Sequence, residues 1–155
     1  MRVEQAQVVK APREQVFKAW IDYDAWPKFS TLLTRVTVRE RAGNTVHVNA
    51  EIRVMGRKTS RTEQHVLTPP EKVLVSGETE GATNTTVWKF EQIPEGTLVT
   101  AVVETELKGL TRVLGPFAKR QLQKLAPRVV ARSCKIRGSE VAGSTEPLLR
   151  PTNFL

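Results

Sequence analysis

Residues 46–54 have the sequence VHVNAEIRV, in which an apolar side chain occupies every second position and a polar side chain lies between. A period of two sustained over this length is typical of a β-strand that buries one face and exposes the other. The residues MGRK at 55–58 then supply a turn. We therefore expect 59–67 to return beside this strand as its antiparallel partner.

Apolar residues also alternate on both sides of this hairpin, between turns rich in glycine, proline and asparagine. The pattern predicts one strand around Val36 and Val38, ahead of a turn at 42–44. Three more strands are predicted over 72–79, 86–93 and 97–107. A polar loop is expected at 80–84. Consecutive strands joined by short turns favour an antiparallel meander.

The two ends of the chain have a different pattern. Residues 2–9 suit a first strand, and two short helical pieces are expected over 11–21 and 25–29. The first piece has an apolar face formed by Val16, Phe17, Trp20 and Ile21. Over 110–136 the apolar residues recur with the 3.6-residue period of a long amphipathic helix. The sequence thus predicts an α+β domain over 1–137, followed by a C-terminal tail over 138–155.

The composition limits the class of protein. A chain of 155 residues with 39% hydrophobic residues can form one self-sufficient core. Cys134 is the single cysteine, and the two histidines, His47 and His65, stand far apart in the sequence, so no disulfide and no metal cluster are expected. We find no nucleotide-phosphate motif, signal peptide or apolar run of membrane-spanning length. We expect a cytoplasmic protein without a metal or cofactor.

The length of the turn at 55–58 determines which way the polar residues of the following strand point. With a loop of two or four residues, the apolar face of 46–54 is shared by three polar residues of the next strand. These are Arg61, Glu63 and His65. A loop of three residues would shift the register by one and place all three side chains in solvent.

Several motifs occur in an order that resembles one superfamily. They are APREQVF at 11–17, the aspartate-x-x-x-tryptophan-proline pattern at 22–27, GNTV at 43–46, VWKF at 87–90 and PEGT at 94–97. Together with the order of predicted elements, they resemble the START-like helix-grip (SRPBCC) superfamily, of the polyketide cyclase/dehydrase and lipid-transport type. The resemblance implies a helix-grip fold, in which a curved antiparallel sheet of about seven strands wraps around the long C-terminal helix.

The resemblance also implies a cavity between the sheet and that helix for a lipid-like or polyketide-like molecule. Residues 60–62 resemble a strand of the cyclase members. An arginine on that strand holds and polarises a carbonyl or phenolate of their substrate. This implies Arg61 as an electrostatic anchor, with Glu63 or His65 as acid or base. The expected lining residues are Trp26, Ile52, Trp88, Phe90 and Phe117, for which packed core is the alternative. Tyr23 is expected at the cavity mouth or on the surface.

Two functions from different classes follow from the resemblance. The first is binding of a hydrophobic small molecule, and the alternative is a cofactor-independent polyketide cyclase/aromatase or dehydratase. The cyclase members usually carry a tyrosine where this chain has Leu32 and Leu33, which favours binding over catalysis.

The net charge of +8 arises in one segment, because 112–137 contain eight basic residues and no acidic one. A basic stripe is predicted from Arg120, Lys124, Arg128 and Arg132, which recur every four residues. A merely solvated face, the alternative interpretation, ordinarily mixes both signs. Both interpretations stay open, and the absence of acidic residues favours an acidic partner as the functional one: an acyl carrier protein or an anionic membrane surface, with nucleic acid less favoured.

Overall fold

The structure is a computed structural model that describes residues 2–29, 33–54, 56–79 and 81–108. The helical elements are α1 (Arg13–Trp20), a 3₁₀ turn (Tyr23–Ala25) and α2 (Trp26–Phe29). The strands are β1 (Arg2–Val9), β2 (Leu33–Ala42), β3 (Thr45–Val54), β4 (Arg57–Thr68), β5 (Lys72–Thr79), β6 (Ala82–Ile93) and β7 (Gly96–Leu107). The long helix predicted over 110–136 and the tail over 138–155 lie outside the described residues.

The strands form one curved, seven-stranded antiparallel sheet in the order β1-β7-β6-β5-β4-β3-β2. The predicted meander is confirmed, since β2 to β6 each pair with the next strand in sequence. The first strand then pairs with the last, because β1 lies along β7 from Arg2 opposite Glu104 to Val9 opposite Thr97. Strands β1 and β2 are therefore the two ends of the sheet within the described part of the chain.

Strand β2 is irregular. Its pairing with β3 shifts between Leu33 and Arg35 and again between Val38 and Glu40. Each shift is a bulge or similar irregularity of the kind that increases local twist. Beyond the second shift, Arg41 lies opposite Val46.

The β3–β4 hairpin has a two-residue turn. Val54 pairs with Arg57, and Gly56 within the turn has φ +80°, a backbone conformation that glycine adopts without strain. The register that follows places His65 opposite Val46 and continues two residues at a time along both strands. The alternative of a three-residue loop is wrong, and the polar residues of β4 lie on the same face as the apolar column of β3.

The prediction of a polar loop at 80–84 is wrong over most of that segment. Thr79 pairs with Ala82, so β6 begins there, and Gly81 with φ +88° supplies the tight turn. The residues that follow are polar, but each is paired with β5 on one side and β7 on the other. Backbone pairing from both neighbours therefore outweighs the weak strand signal of this segment.

One face of the sheet, here called the inner face, carries the core. Val46, Val48 and Ala50 of β3 are almost fully buried on it. The apolar side of α1 packs there as well, and the ring of Phe17 meets the ring of Phe90 edge-on with centroids 5.4 Å apart. The apolar periodicity of β3 and α1 thus predicts correctly which of their side chains are buried.

The β6–β7 turn is held against the segment that leads into α1. The Thr97 hydroxyl donates to the carbonyl oxygen of Ala11 at 2.7 Å. Gly96 has φ +138°, and a Cβ at this position would collide with the carbonyl oxygen of Val9. The glycine is therefore needed both for its conformation and for the close approach of β1.

Candidate functional site

The site is built on β4, where alternate residues point to the inner face. Arg61, Glu63 and His65 all lie on that face, as the two-residue turn dictates. The side chains of Glu63 and His65 are 2% and 0% exposed. A carboxylate buried this deeply has to be compensated by partners, and its partners define the site.

Four side chains form one hydrogen-bonded series, here called the polar chain: Arg61, Glu63, His65 and Tyr23. Glu63 forms an ion pair with the Arg61 guanidinium through one carboxylate oxygen. Its other oxygen lies 2.8 Å from His65 Nε2. The Nδ1 atom of His65 lies 3.0 Å from the Tyr23 hydroxyl. Both carboxylate oxygens and both imidazole nitrogens are thus engaged.

The electrostatics of the polar chain favour an ionised carboxylate. Burial alone raises the pKa of Glu63, but the hydrogen bond from His65 and the charge of Arg61 outweigh it, so the pKa lies below its ordinary value of 4.5. An ionised carboxylate only accepts hydrogen bonds, so His65 Nε2 carries the proton that it donates to Glu63. In the neutral imidazole, Nδ1 then accepts a hydrogen bond from the Tyr23 hydroxyl.

Aromatic rings enclose the imidazole of His65. The ring centroids of Tyr23, Trp26 and Trp20 lie 5.2, 5.6 and 5.8 Å from it. Trp26 is itself fixed, because its Nε1 donates to the carbonyl oxygen of Trp20 at 2.9 Å. The Arg41 guanidinium lies 5.5 Å from the Tyr23 ring centroid, within cation–π range. This enclosure keeps water from His65 and fixes its orientation.

Arg61 differs from the rest of the polar chain in its accessibility. Its side chain is 28% exposed, whereas Glu63 is almost completely covered. Its Nε atom is buried and has no hydrogen-bond partner among the described residues. Arg61 is therefore the accessible charged member of the polar chain.

The structure places the other predicted site residues as follows. Trp26 and Phe90 are buried in the core, at 7% and 1% exposure, and Trp88 is partly buried against it. Ile52 lies on the inner face and is partly buried. Phe117 and the four residues of the basic stripe lie outside the described residues. Ligand contact by any of these remains a prediction.

The sequence did not predict the contacts of two members of the site with His65, those of Tyr23 and Trp20. Tyr23 is 2% exposed and bonded to His65, instead of lying on the surface or at a cavity mouth. The one available signal was its position inside the aspartate-x-x-x-tryptophan-proline pattern. Trp20 was predicted as a core residue of the first helix, which it is, but its contact with His65 follows from the tertiary structure alone.

Two further findings concern the described part of the chain. No group of three or more histidine, cysteine, aspartate or glutamate side chains there is arranged to hold a metal ion. None of its helices has the length and apolar character needed to cross a membrane.

The sequence profile of the family described as polyketide cyclase / dehydrase and lipid transport matches residues 9–134. The chain belongs to this family, which confirms the resemblance found in the sequence. No curated protein matches the chain in sequence.

Solved structures share the fold at low sequence identity. The di-domain aromatase/cyclase StfQ of the steffimycin biosynthetic pathway is 18% identical with a TM-score of 0.79, over 92% of this chain and 52% of that one. The chain thus spans about half of that protein. The Zhui aromatase/cyclase from Streptomyces sp. R1128 is 17% identical with a TM-score of 0.75, and the match covers 91% of this chain and 93% of that one. A START superfamily protein from Mycobacterium smegmatis is 17% identical with a TM-score of 0.69, and the match covers 92% of this chain and 97% of that one.

Proposed function

We propose that the protein binds a hydrophobic small molecule, lipid-like or polyketide-like, against the inner face of the sheet, with Arg61 as its electrostatic anchor. The observation that carries this proposal is the contrast within the polar chain, where Arg61 is accessible and Glu63 and His65 are not. A guanidinium keeps its charge at any physiological pH and has five donors. A ligand oxygen would accept a hydrogen bond from the accessible part of the guanidinium.

The Arg61 side chain is 28% exposed, so its guanidinium could contact a ligand acceptor beside the ion pair with Glu63. Partly buried apolar side chains on the same face, Ile52 and Trp88, offer surface for the hydrophobic body of such a ligand. Phe117 is proposed to contribute from the C-terminal segment.

The second candidate function is a cofactor-independent polyketide cyclase or dehydratase. It is favoured by the unbroken hydrogen-bonded connection from Arg61 through Glu63 and His65 to the Tyr23 hydroxyl. In such a reaction, Arg61 would stabilise an enolate or phenolate oxygen while Glu63 or His65 moved a proton. Both groups are engaged on all their polar atoms, so one of these bonds would have to open. We therefore assign Glu63 and His65 a positioning role.

The binding proposal is tested by titration with 1-anilinonaphthalene-8-sulfonate. We expect about one molecule bound per chain, with a change in tryptophan emission, and an affinity 10- to 100-fold lower for Arg61→Ala, because a hydrogen bond to a charged group is lost. Arg61→Lys should restore part of the affinity, since it keeps the charge but not the planar fork. The matched control is Arg53→Ala, an exposed arginine on the outer face of β3.

An unchanged affinity of folded Arg61→Ala would contradict the anchor. A poly-β-ketone thioester distinguishes the two candidates. Turnover that is lost in Arg61→Ala and reduced in His65→Asn, but kept in His47→Asn, would favour the enzyme over the binding protein.

The basic stripe is proposed as a docking surface for an anionic membrane. Reversal of Arg120, Lys124 and Arg128 to glutamate is expected to abolish binding to vesicles rich in phosphatidylserine at low salt. Binding of the unmodified protein should weaken steeply towards physiological salt, where screening acts over about 8 Å. Reversal of three exposed basic residues of the sheet, Arg35, Arg39 and Arg53, is the control. Equal losses in both triple variants would indicate net charge alone.

A further inference from the structure

Two residues flank Glu63 on the neighbouring strands, and they differ in size. On β3 its Cα partner is Val48, which is fully buried. On β5 its Cα partner is Gly77, which has no side chain. Directly paired residues point to the same face of a sheet, so a side chain at 77 would stand beside Glu63 on the inner face. The β5 side is therefore the side from which a third side chain can approach Glu63.

The side chain of Arg61 occupies this room. A Cβ at residue 77 would lie 3.3 Å from Glu63 Cγ and 3.6 Å from Arg61 Cδ. The stem of Arg61 thus lies against Gly77, and its guanidinium pairs with Glu63. Because a Cβ contact of 3.3 Å is tighter than ordinary van der Waals contact, a side chain at 77 would press on this ion pair.

The backbone at Gly77 does not itself require glycine. Gly77 lies inside β5, and it is not one of the described glycines with a positive φ. Glycine weakens the interior of a strand, and where it occurs there it often marks a position that another group approaches closely. The approaching group here is the Arg61–Glu63 pair. What glycine supplies at 77 is therefore space.

The ion pair depends on that space. Arg61 and Glu63 are two residues apart on one strand, so their Cα atoms are separated by about 6.6 Å. Side chains of a strand stand roughly perpendicular to the sheet, so at least one of the two has to lean towards the other. Arg61 leans across Gly77 and remains 28% exposed while it pairs with the buried carboxylate.

We propose that Gly77 is a positioning residue for the ligand anchor, because the missing side chain at 77 determines where the Arg61 guanidinium is held. The inference rests on the proposed function, in which this guanidinium contacts the ligand. Gly77 acts through Arg61 and needs no contact with the ligand itself. A larger side chain at 77 would push the stem of Arg61 away from Glu63, and the guanidinium would leave the place from which it donates to a ligand oxygen.

The test uses two substitutions of graded size, Gly77→Ala and Gly77→Val, and titration with 1-anilinonaphthalene-8-sulfonate. We expect an affinity about tenfold lower for Gly77→Val, because a displaced guanidinium loses its hydrogen bond to the ligand. The loss should be smaller for Gly77→Ala, whose methyl group requires a shift of only a few tenths of an ångström. The matched control is Ser76→Val, which adds bulk on the outer face of the same strand and should keep the affinity within about twofold.

A double-mutant cycle separates positioning from a direct effect on the binding site. In the Arg61→Ala background, Gly77→Val should lower the affinity no further, since the side chain that it displaces is already gone. A merely structural role of Gly77 predicts the same loss in both backgrounds.

Equal losses in both backgrounds, or an affinity of folded Gly77→Val that is unchanged or higher, would overturn the role of Gly77 and leave Arg61 as the anchor. If Gly77→Val does not fold, Gly77→Ala in the two backgrounds decides by the same outcomes. A dye that does not bind the unmodified protein, or that binds Arg61→Ala equally well, contradicts the proposed function itself, and the inference with it.

Discussion

Replacement of Trp20 by alanine is expected to lower the free energy of unfolding by about 3–5 kcal/mol, the usual cost of removing a buried tryptophan. Trp20 is 4% exposed, and its ring lies 5.0 Å from that of Trp26 and 5.5 Å from that of Trp88. It also packs against His65. The variant loses a large apolar surface and leaves a cavity beneath the polar chain.

Denaturant unfolding measures this effect, and the melting temperature should fall by about 2–4 °C per kcal/mol for a chain of this size. Trp88→Ala is the control, since Trp88 is only partly buried and should cost less. A loss below about 1 kcal/mol in Trp20→Ala, or an equal loss in both variants, would show that Trp20 does not hold the helix against the sheet.

Acidification is expected to remove the stability that Glu63 contributes. Its pKa in the folded protein lies below the ordinary value of 4.5, so the unfolded chain binds the proton first as the pH falls. The contribution is therefore fully present above about pH 5 and is lost as the pH falls through the lowered pKa. Among the described residues, the charged and titratable partners of Glu63 are Arg61 and His65.

Glu63→Gln should lower the free energy of unfolding at pH 7 by about 1.5–3 kcal/mol, because Arg61 and His65 lose their hydrogen bonds to a charged acceptor. It should also flatten the dependence of stability on pH below about pH 5. The measurement is denaturant unfolding at a series of pH values, with Glu51→Gln on the outer face of β3 as the control. Parallel pH curves for Glu63→Gln and the unmodified protein would contradict the prediction.

The sequence predicted the sheet well where apolar residues alternate. The strand at 46–54 and its return along β4 follow from a period of two, and the register follows once the turn length is known. The beginning of β6 was missed because Thr83 and Asn84 carry no apolar signal, and their strand conformation depends on two neighbouring strands. The burial pattern of a strand is visible in its own sequence, whereas its pairing depends on residues of other strands.

Only the part of the candidate site that lies on one strand could be predicted from the sequence. A shared face for Arg61, Glu63 and His65 follows from alternation along a single strand. Tyr23 lies in a short 3₁₀ turn, where no periodicity exists to show which way a side chain points. The contact between Tyr23 and His65 joins residues 42 positions apart and has no counterpart in sequence spacing.

The irregular strand β2 affects how molecules of this protein meet one another. Within the described part of the chain it pairs with β3 alone, and its exposed side chains include Arg35, Arg39 and Arg41. A sheet that ends in a long, flat strand invites the same strand of another molecule to add to it. The two register shifts oppose that addition, because an irregular backbone cannot align with a second copy, and charged side chains along the strand oppose it as well. Among the described strands, β2 is thus an edge that resists aggregation.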